Sequence, residues 1–166
     1  MQLEIIEQQP ETNMMQISKT PRVYIAGPFF NEHQIETIED IKEVLDHLDL
    51  TYFSPKDECM YVPGETPIDQ ILRDNVEAMH SADLLICVTD GKDPGTIFEA
   101  GWCYAMHKPI IYIWRTRQEG KKFNLVLASS GSVVQTLESL TEALEDIMTE
   151  GVFIQKNYDT EGMHYE

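Results

Sequence analysis

A chain of 166 residues is long enough for one well-buried core and short for two. Hydrophobic residues at 42% and charged residues at 25% are ordinary for a soluble globular protein, and no apolar run approaches the ~18 residues of a membrane span. With 29 acids against 12 bases the net charge is −17, a field that repels nucleic acid and anionic membrane surfaces, so neither is an expected partner.

Residues 1–20 lack a basic start followed by an apolar core, which makes the cytoplasm the expected location. They are polar and unpatterned apart from Ile5, Ile6 and Met14-Met15, and are expected to form a flexible or loosely docked arm. The domain begins at about Pro21. Arg22 to Gly27 reads as a buried strand punctuated by Gly27-Pro28. From Asn31 to Leu48, Ile35, Ile38, Ile41, Val44, Leu45 and Leu48 recur at helical spacing. Thr51 to Ser54 makes a short second strand. Thr66-Pro67 offers a cap and a first helical position for a helix running to Ser81.

Asp83 to Val88 is a third strand. A loop from Thr89 to Gly95 and a helix over about 96–107 follow, ended by Lys108-Pro109. Pro109 to Trp114 is a fourth strand, Ser132 to Gln135 a weak fifth, and Ser139 to Met148 a last helix. Residues 21–150 thus form one domain, with 151–166 as a tail able to complete a site.

Strands alternating with helices imply a five-stranded parallel sheet with helices on both faces, and five strands favour the doubly wound, flavodoxin-like order 2-1-3-4-5. Ligands bind such a sheet beyond the carboxyl ends of its strands, where the order reverses. Here that point puts Gly27-Pro-Phe-Phe30 opposite the segment from Thr89 to Glu99. Asp93 and Glu99 therefore fall in the expected crevice, where two acids can operate on a glycosidic bond.

Each acid also has a purely structural account. Thr96-x-x-Glu99 has the spacing of a capping box, and Asp93 before Pro94 is an ordinary helix cap. Tyr24, on the first strand, needs a polar partner if buried, and a carboxylate across the crevice would supply one. Phe29 and Phe30 either pack the loop or stack on a flat heterocycle. Neither GxGxxG nor GxxxxGK[ST] occurs, so no dinucleotide or triphosphate site is expected. Cys59, Cys87 and Cys103 lack metal-ligand spacing, Cys87 reads as core, and the five histidines fall singly. No metal and no cofactor is expected.

Val23-Tyr-Ile-Ala-Gly-Pro28, the stretch from Asn75 to Asp83, Asp90-Gly91, Asp93-Pro-Gly-Thr-x-x-Glu99 and Gly101-x-x-Tyr-Ala105 together resemble the nucleoside 2-deoxyribosyltransferase family over about residues 21–135. The resemblance implies the flavodoxin-like fold and transfer of a 2-deoxyribosyl group between purine or pyrimidine bases, with deoxynucleosides and free nucleobases as partners. It makes Glu99 the nucleophile, Asp93 the nearby acid that contacts the sugar or handles protons, and Tyr24 the residue that orients the nucleophile. It implies a homo-oligomer with shared sites, in which Asn124 resembles an asparagine contributed to a neighbouring subunit's site and Tyr165 resembles a tyrosine near the family's C-terminus. Glu166 follows Tyr165 here, a departure from the family pattern. Gly27, Phe29 and Phe30 line the substrate side.

Many members carry an aspartate where this chain has Asn75, with Asp74 just ahead, so either side chain is a candidate to face the sugar. Asp57 and Glu58 fall where relatives contact the base. Close relatives hydrolyse nucleoside 5′-monophosphates. That alternative needs cationic or hydroxyl groups around a phosphate; the loop after the first strand offers no Arg or Lys, while Arg115, Arg117, Lys121 and Lys122 follow the fourth strand and could reach over the site. A non-catalytic nucleoside-binding module is the third reading.

Overall fold

The computed structural model describes residues 14–116, 122–158 and 163–166. In chain order its elements are β1 (Met14–Gln16), β2 (Val23–Ala26), α1 (Glu32–His47), β3 (Tyr52–Phe53), α2 (Pro55–Glu58), α3 (Ile68–Ser81) and β4 (Leu84–Val88). There follow α4 (Pro94–Ala105), β5 (Ile110–Ile113), α5 (Leu125–Ser130), β6 (Ser132–Val134), α6 (Leu137–Glu150) and β7 (Val152–Ile154). The main sheet has the order β3-β2-β4-β5-β6, every pairing parallel. This is the expected 2-1-3-4-5 arrangement, with its order reversing between β2 and β4.

Strand residues alternate between two cores because successive side chains point to opposite faces. Val23, Ile25, Leu84, Ile86 and Val88 meet α1 and α6 on one face. Tyr24, Ala26, Leu85 and Cys87 meet α3, α4 and α5 on the other. Tyr24 is therefore placed under α4 by its parity on β2, and Cys87 is fully buried core as expected.

Four helix starts depend on local side-chain caps, that of α5 being Asn124. Asn31 Oδ1 accepts from the Gln34 N–H at 3.0 Å to start α1. Thr136 and Ser139 form a reciprocal capping box at α6, which therefore begins at Leu137 rather than Ser139. Helix α4 starts at Pro94, two residues before the expected Thr96, because Asp93 is its cap. The expected cap at Thr66 does not form. Its hydroxyl accepts from the Val62 N–H and donates to the Met60 carbonyl within the preceding turn, and Pro67 takes the cap position of α3.

The chain ends are more structured than the sequence pattern implies. Met14–Gln16 pairs antiparallel with Val152–Ile154, so the last residues of the expected N-terminal arm are a docked strand. Residues 1–13 lie outside the described residues. The C-terminal residues run beside Phe123: its N–H donates to the His164 carbonyl at 2.8 Å, and the Glu166 N–H donates back to the Phe123 carbonyl at 3.0 Å.

Candidate active site

The site is assembled at the carboxyl ends of β2 and β4, from the second turn of α4 and the middle of α3. Glu99 is half-buried there. The Tyr24 hydroxyl donates to Glu99 Oε1 at 2.6 Å, and Asn75 Nδ2 donates to the same oxygen at 3.2 Å. Among the described residues no group donates to Oε2. One oxygen is fixed by two neutral donors while the other has no donor among the described residues.

Removing a carboxylate from water without a cation beside it favours the neutral acid. Burial accordingly pushes Glu99 up to about 7. The Tyr24 hydrogen bond opposes the rise, and the charge of Asp93 adds to it. Burial, then the adjoining Glu99 charge, drives the Tyr24 phenol far above its ordinary value, so it remains a hydrogen-bond donor. Cys59 and Cys103 are pushed up to about 11 and about 12, burial being the leading cause for both, and stay thiols at neutral pH.

The capping-box account of Glu99 fails on geometry. With Asp93 as the cap, Glu99 lies beyond the first turn, and its carboxylate is bound by Tyr24 and Asn75 instead of a backbone N–H. Asp93 does act as a cap: its Oδ2 accepts from both the Thr96 N–H and hydroxyl at 2.8 Å. It nonetheless lies close enough to Glu99 to raise it.

Of the two adjacent candidates on α3, Asn75 is the one that reaches Glu99. Asp74 accepts from Gln70 Nε2 at 2.5 Å on its own helix. Asn75 shares a stripe with the buried Ala78 and Met79, three and four residues on.

Gly27 has a packing reason to be glycine. A Cβ there would lie 3.0 Å from Val88 Cβ and 3.1 Å from Ile38 Cδ1. The missing side chain lets β2 and β4 close together beneath the crevice. Phe29 and Phe30 sit just beyond, their rings 5.5 Å apart, with Phe29 half-buried and Phe30 73% exposed. Gln34, which the sequence reading passed over, accepts from the Phe30 N–H at 2.8 Å, and its amide lies where a side chain on Gly91 would stand. It ties the two walls of the crevice; the Asn31-x-x-Gln34 capping spacing was the available signal.

The remaining candidates are placed elsewhere. Asn124 caps α5, accepting from the Leu127 N–H at 3.1 Å, and is exposed. The Tyr165 hydroxyl accepts from Asn157 Nδ2 at 3.1 Å. No hydrogen bond joins either to Glu99, Tyr24 or Asn75 among the described residues. Asp57, expected near the base, is bound by Lys42 and Lys56, and Glu58 is exposed. Arg115 pairs with Asp40 at 2.5 Å, while Asp90 accepts from the Arg115 N–H at 3.0 Å and the Thr116 N–H at 2.7 Å. Arg117 and Lys121 lie outside the described residues, and Lys122 is exposed. Among the described residues no cluster of His, Cys, Asp and Glu could hold a metal ion, and no helix is long and apolar enough to cross a membrane.

A doubly wound sheet carries a half-buried, tyrosine-bound glutamate at its switch point. Residues 23–153 match the family model for nucleoside 2-deoxyribosyltransferases, and the chain belongs to that family.

Solved structures share the fold. The 2-deoxyribosyltransferase of the psychrotolerant bacterium Bacillus psychrosaccharolyticus is 24% identical, with 82% of this chain and 98% of that one covered at a TM-score of 0.67. The 2-desoxiribosyltransferase of Leishmania mexicana is 19% identical over 78% of this chain and 97% of that one, at 0.56. The CMP N-glycosidase BcmB of Clostridium botulinum is 21% identical over 75% of this chain and 98% of that one, at 0.52. No match was found among curated protein sequences.

Proposed function

We propose that this protein transfers a 2-deoxyribosyl group between nucleobases by a retaining double displacement on Glu99. Glu99 Oε2 attacks C1′ from the face opposite the base, and the C1′–N bond breaks. The base departs with a proton, and a second base displaces the glutamyl ester to restore the original configuration. Tyr24 and Asn75 hold Oε1, which aims the free oxygen and limits the reorganisation needed as positive charge grows on the sugar. Asp93 adds negative charge at the same end of the helix and steers or protonates the departing base, while Phe29 and Phe30 stack on the base. The observation carrying this reading is the convergence of two neutral donors on one oxygen of a carboxylate raised to about 7, at the ligand-binding end of the sheet.

The chemistry calls for no metal or organic cofactor. A second copy of the chain is proposed to supply Asn124 and Tyr165, consistent with the exposed Phe98, Trp102 and Tyr104 on α4 and Ile68 and Leu72 on α3. Light scattering of the purified protein tests that assembly; a strict monomer with full activity refutes it. The setting proposed is nucleoside salvage in the cytoplasm.

Mixing 2′-deoxyinosine with adenine tests the activity. Appearance of 2′-deoxyadenosine, with a deoxyribosyl adduct on Glu99 in the mass spectrum, is the expected outcome. Free base with no exchange sinks it. Hydrolysis of nucleoside monophosphates is the second reading, favoured by the shared fold of a CMP N-glycosidase. Against it, Arg115 is already paired with Asp40. Release of base from a deoxynucleotide alone would establish it.

A further inference from the structure

Asn75 is bonded on one side only. Its Nδ2 donates to Glu99 Oε1 at 3.2 Å, while its Oδ1 is a buried acceptor with no donor among the described residues. Leaving such an atom unpaired costs free energy, so native proteins seldom retain one without a use. Reversing the amide would not relieve it, because Oδ1 would then face the carboxylate oxygen. The two ends of one amide are only ~2.3 Å apart, so the vacant acceptor lies within about 5.5 Å of the oxygen that Tyr24 fixes. It is shut off from solvent in this structure, beside the carboxylate that the sugar must meet.

In a β-nucleoside attacked at C1′ opposite the base, the hydroxyls of C2′ and C3′ project from the attacked face. A 2-deoxyriboside keeps only the 3′-hydroxyl there. We propose that Asn75 Oδ1 accepts the 3′-hydroxyl of the pentose, so that the residue positioning Glu99 also selects the sugar. The inference rests on Glu99 attacking C1′, as proposed above. It gives a physical reason for an amide at this position: a carboxylate could accept the hydroxyl but could not donate to Glu99, and its charge would oppose ionisation of the nucleophile.

The test compares 2′-deoxyinosine with 2′,3′-dideoxyinosine, and inosine with 3′-deoxyinosine, each with adenine as acceptor, in the unmodified protein and in Asn75→Ala and Asn75→Asp. Loss of the 3′-hydroxyl should lower kcat/KM of the unmodified protein by about 10- to 100-fold, because a site built to bind a hydroxyl penalises the analogue lacking it. In Asn75→Ala that ratio should fall to near one. Asn75→Asp should keep the ratio and move the rise of its pH-rate profile to higher pH, a displacement that a merely structural role would not produce. Thermal melting confirms that both variants fold.

A ratio near one in the unmodified protein, or an undiminished ratio in Asn75→Ala, overturns the inference. So does a penalty that follows the 2′-hydroxyl instead. Calorimetric titration of the same substrates onto Glu99→Gln reads the ratio as affinity without turnover. Failed exchange with that affinity ratio intact would sink the transferase reading and leave the sugar contact standing.

Discussion

Glu39, Asp57 and Glu99 each accept two side-chain hydrogen bonds, yet the first two are pushed in the opposite direction from the third. Between α1 and α2, Glu39 and Asp57 share Lys42 and Lys56: Lys42 and Lys56 reach Glu39 Oε1 at 3.0 and 2.8 Å, and both lysines bind Asp57. Glu39 is held below its ordinary value, first by the Lys56 bond and then by Lys42. Burial raises Asp57, but the bonds and charges of Lys42 and Lys56 outweigh it and the net shift is downward. At the crevice, Glu99 has Tyr24 and Asn75 for partners, and burial takes it up to about 7. Hydrogen-bond number does not separate the two; the deeper burial of Glu99, and then the charge of the donors, does. Cations make an ion pair that is content to stay ionised, whereas neutral donors orient a carboxylate without quenching it.

The largest way to break this contrast is Glu99→Gln, which keeps the acceptor for Tyr24 and removes the nucleophile. Base exchange should fall by about 10⁴-fold or more. Stability should move the other way. Glu99 is raised above its unfolded value, so its favourable contribution is complete below about pH 4.5 and is lost as pH rises toward about 7. The glutamine variant should therefore melt higher than the unmodified protein by a margin that opens between those values. With solvent screening of a half-buried group allowed for, the margin reaches about 1–2 kcal/mol. Calorimetry from pH 4 to pH 8 checks it. In the unmodified protein, kcat/KM at low substrate should rise roughly tenfold per pH unit below about 7 and level above it.

Tyr24→Phe comes next. Loss of the 2.6 Å bond should cost about 10- to 100-fold in exchange and shift the rise of the pH profile upward, because that bond is what holds Glu99 down. An unmoved profile would make Tyr24 a packing residue. Lys42→Met attacks the other group. Lys42 is nearly buried and both acids are about half exposed, so a loss of about 1–2 kcal/mol is expected in chemical denaturation. Here the folded values are depressed, so the stabilisation is present above the ordinary carboxylate range and disappears as pH falls through the folded values. The gap between variant and parent should close in acid, opposite in slope to Glu99→Gln.

How much of this was legible in the sequence follows from where the signals were continuous. Asp83 to Val88 and Pro109 to Trp114 are unbroken apolar runs because a central parallel strand is covered on both faces, and α1 carried a full helical period. Strands β1 and β7 are three residues each and partly exposed, too short to show alternation, and α2 and α5 have only four and six residues. At the site, strand parity and switch-point topology were enough to set Tyr24 against Glu99. The choice between Asp74 and Asn75 depended on helix rotation, which the buried Ala78 and Met79 fix only once burial is known. The clamp on Asp57 joins residues 15 apart in sequence through a lysine that nothing local marks as buried.

Asp93 carries the smallest and finest prediction, because it belongs to both kinds of carboxylate at once. Its Oδ2 is spent on capping α4, a structural duty, while its charge raises Glu99, a chemical one. Asp93→Asn can still accept from the Thr96 N–H, so the cap should survive with a stability loss of only a few tenths of a kcal/mol, against about 1 kcal/mol for Asp93→Ala. Removing the charge should let Glu99 ionise more easily, so the rise in the kcat/KM profile should move to lower pH, by less than Tyr24→Phe moves it upward. If exchange in Asp93→Asn collapses at every pH while the melting temperature holds, the carboxylate is needed for the proton of the leaving base. If only the profile moves, its work is electrostatic, exerted through Glu99.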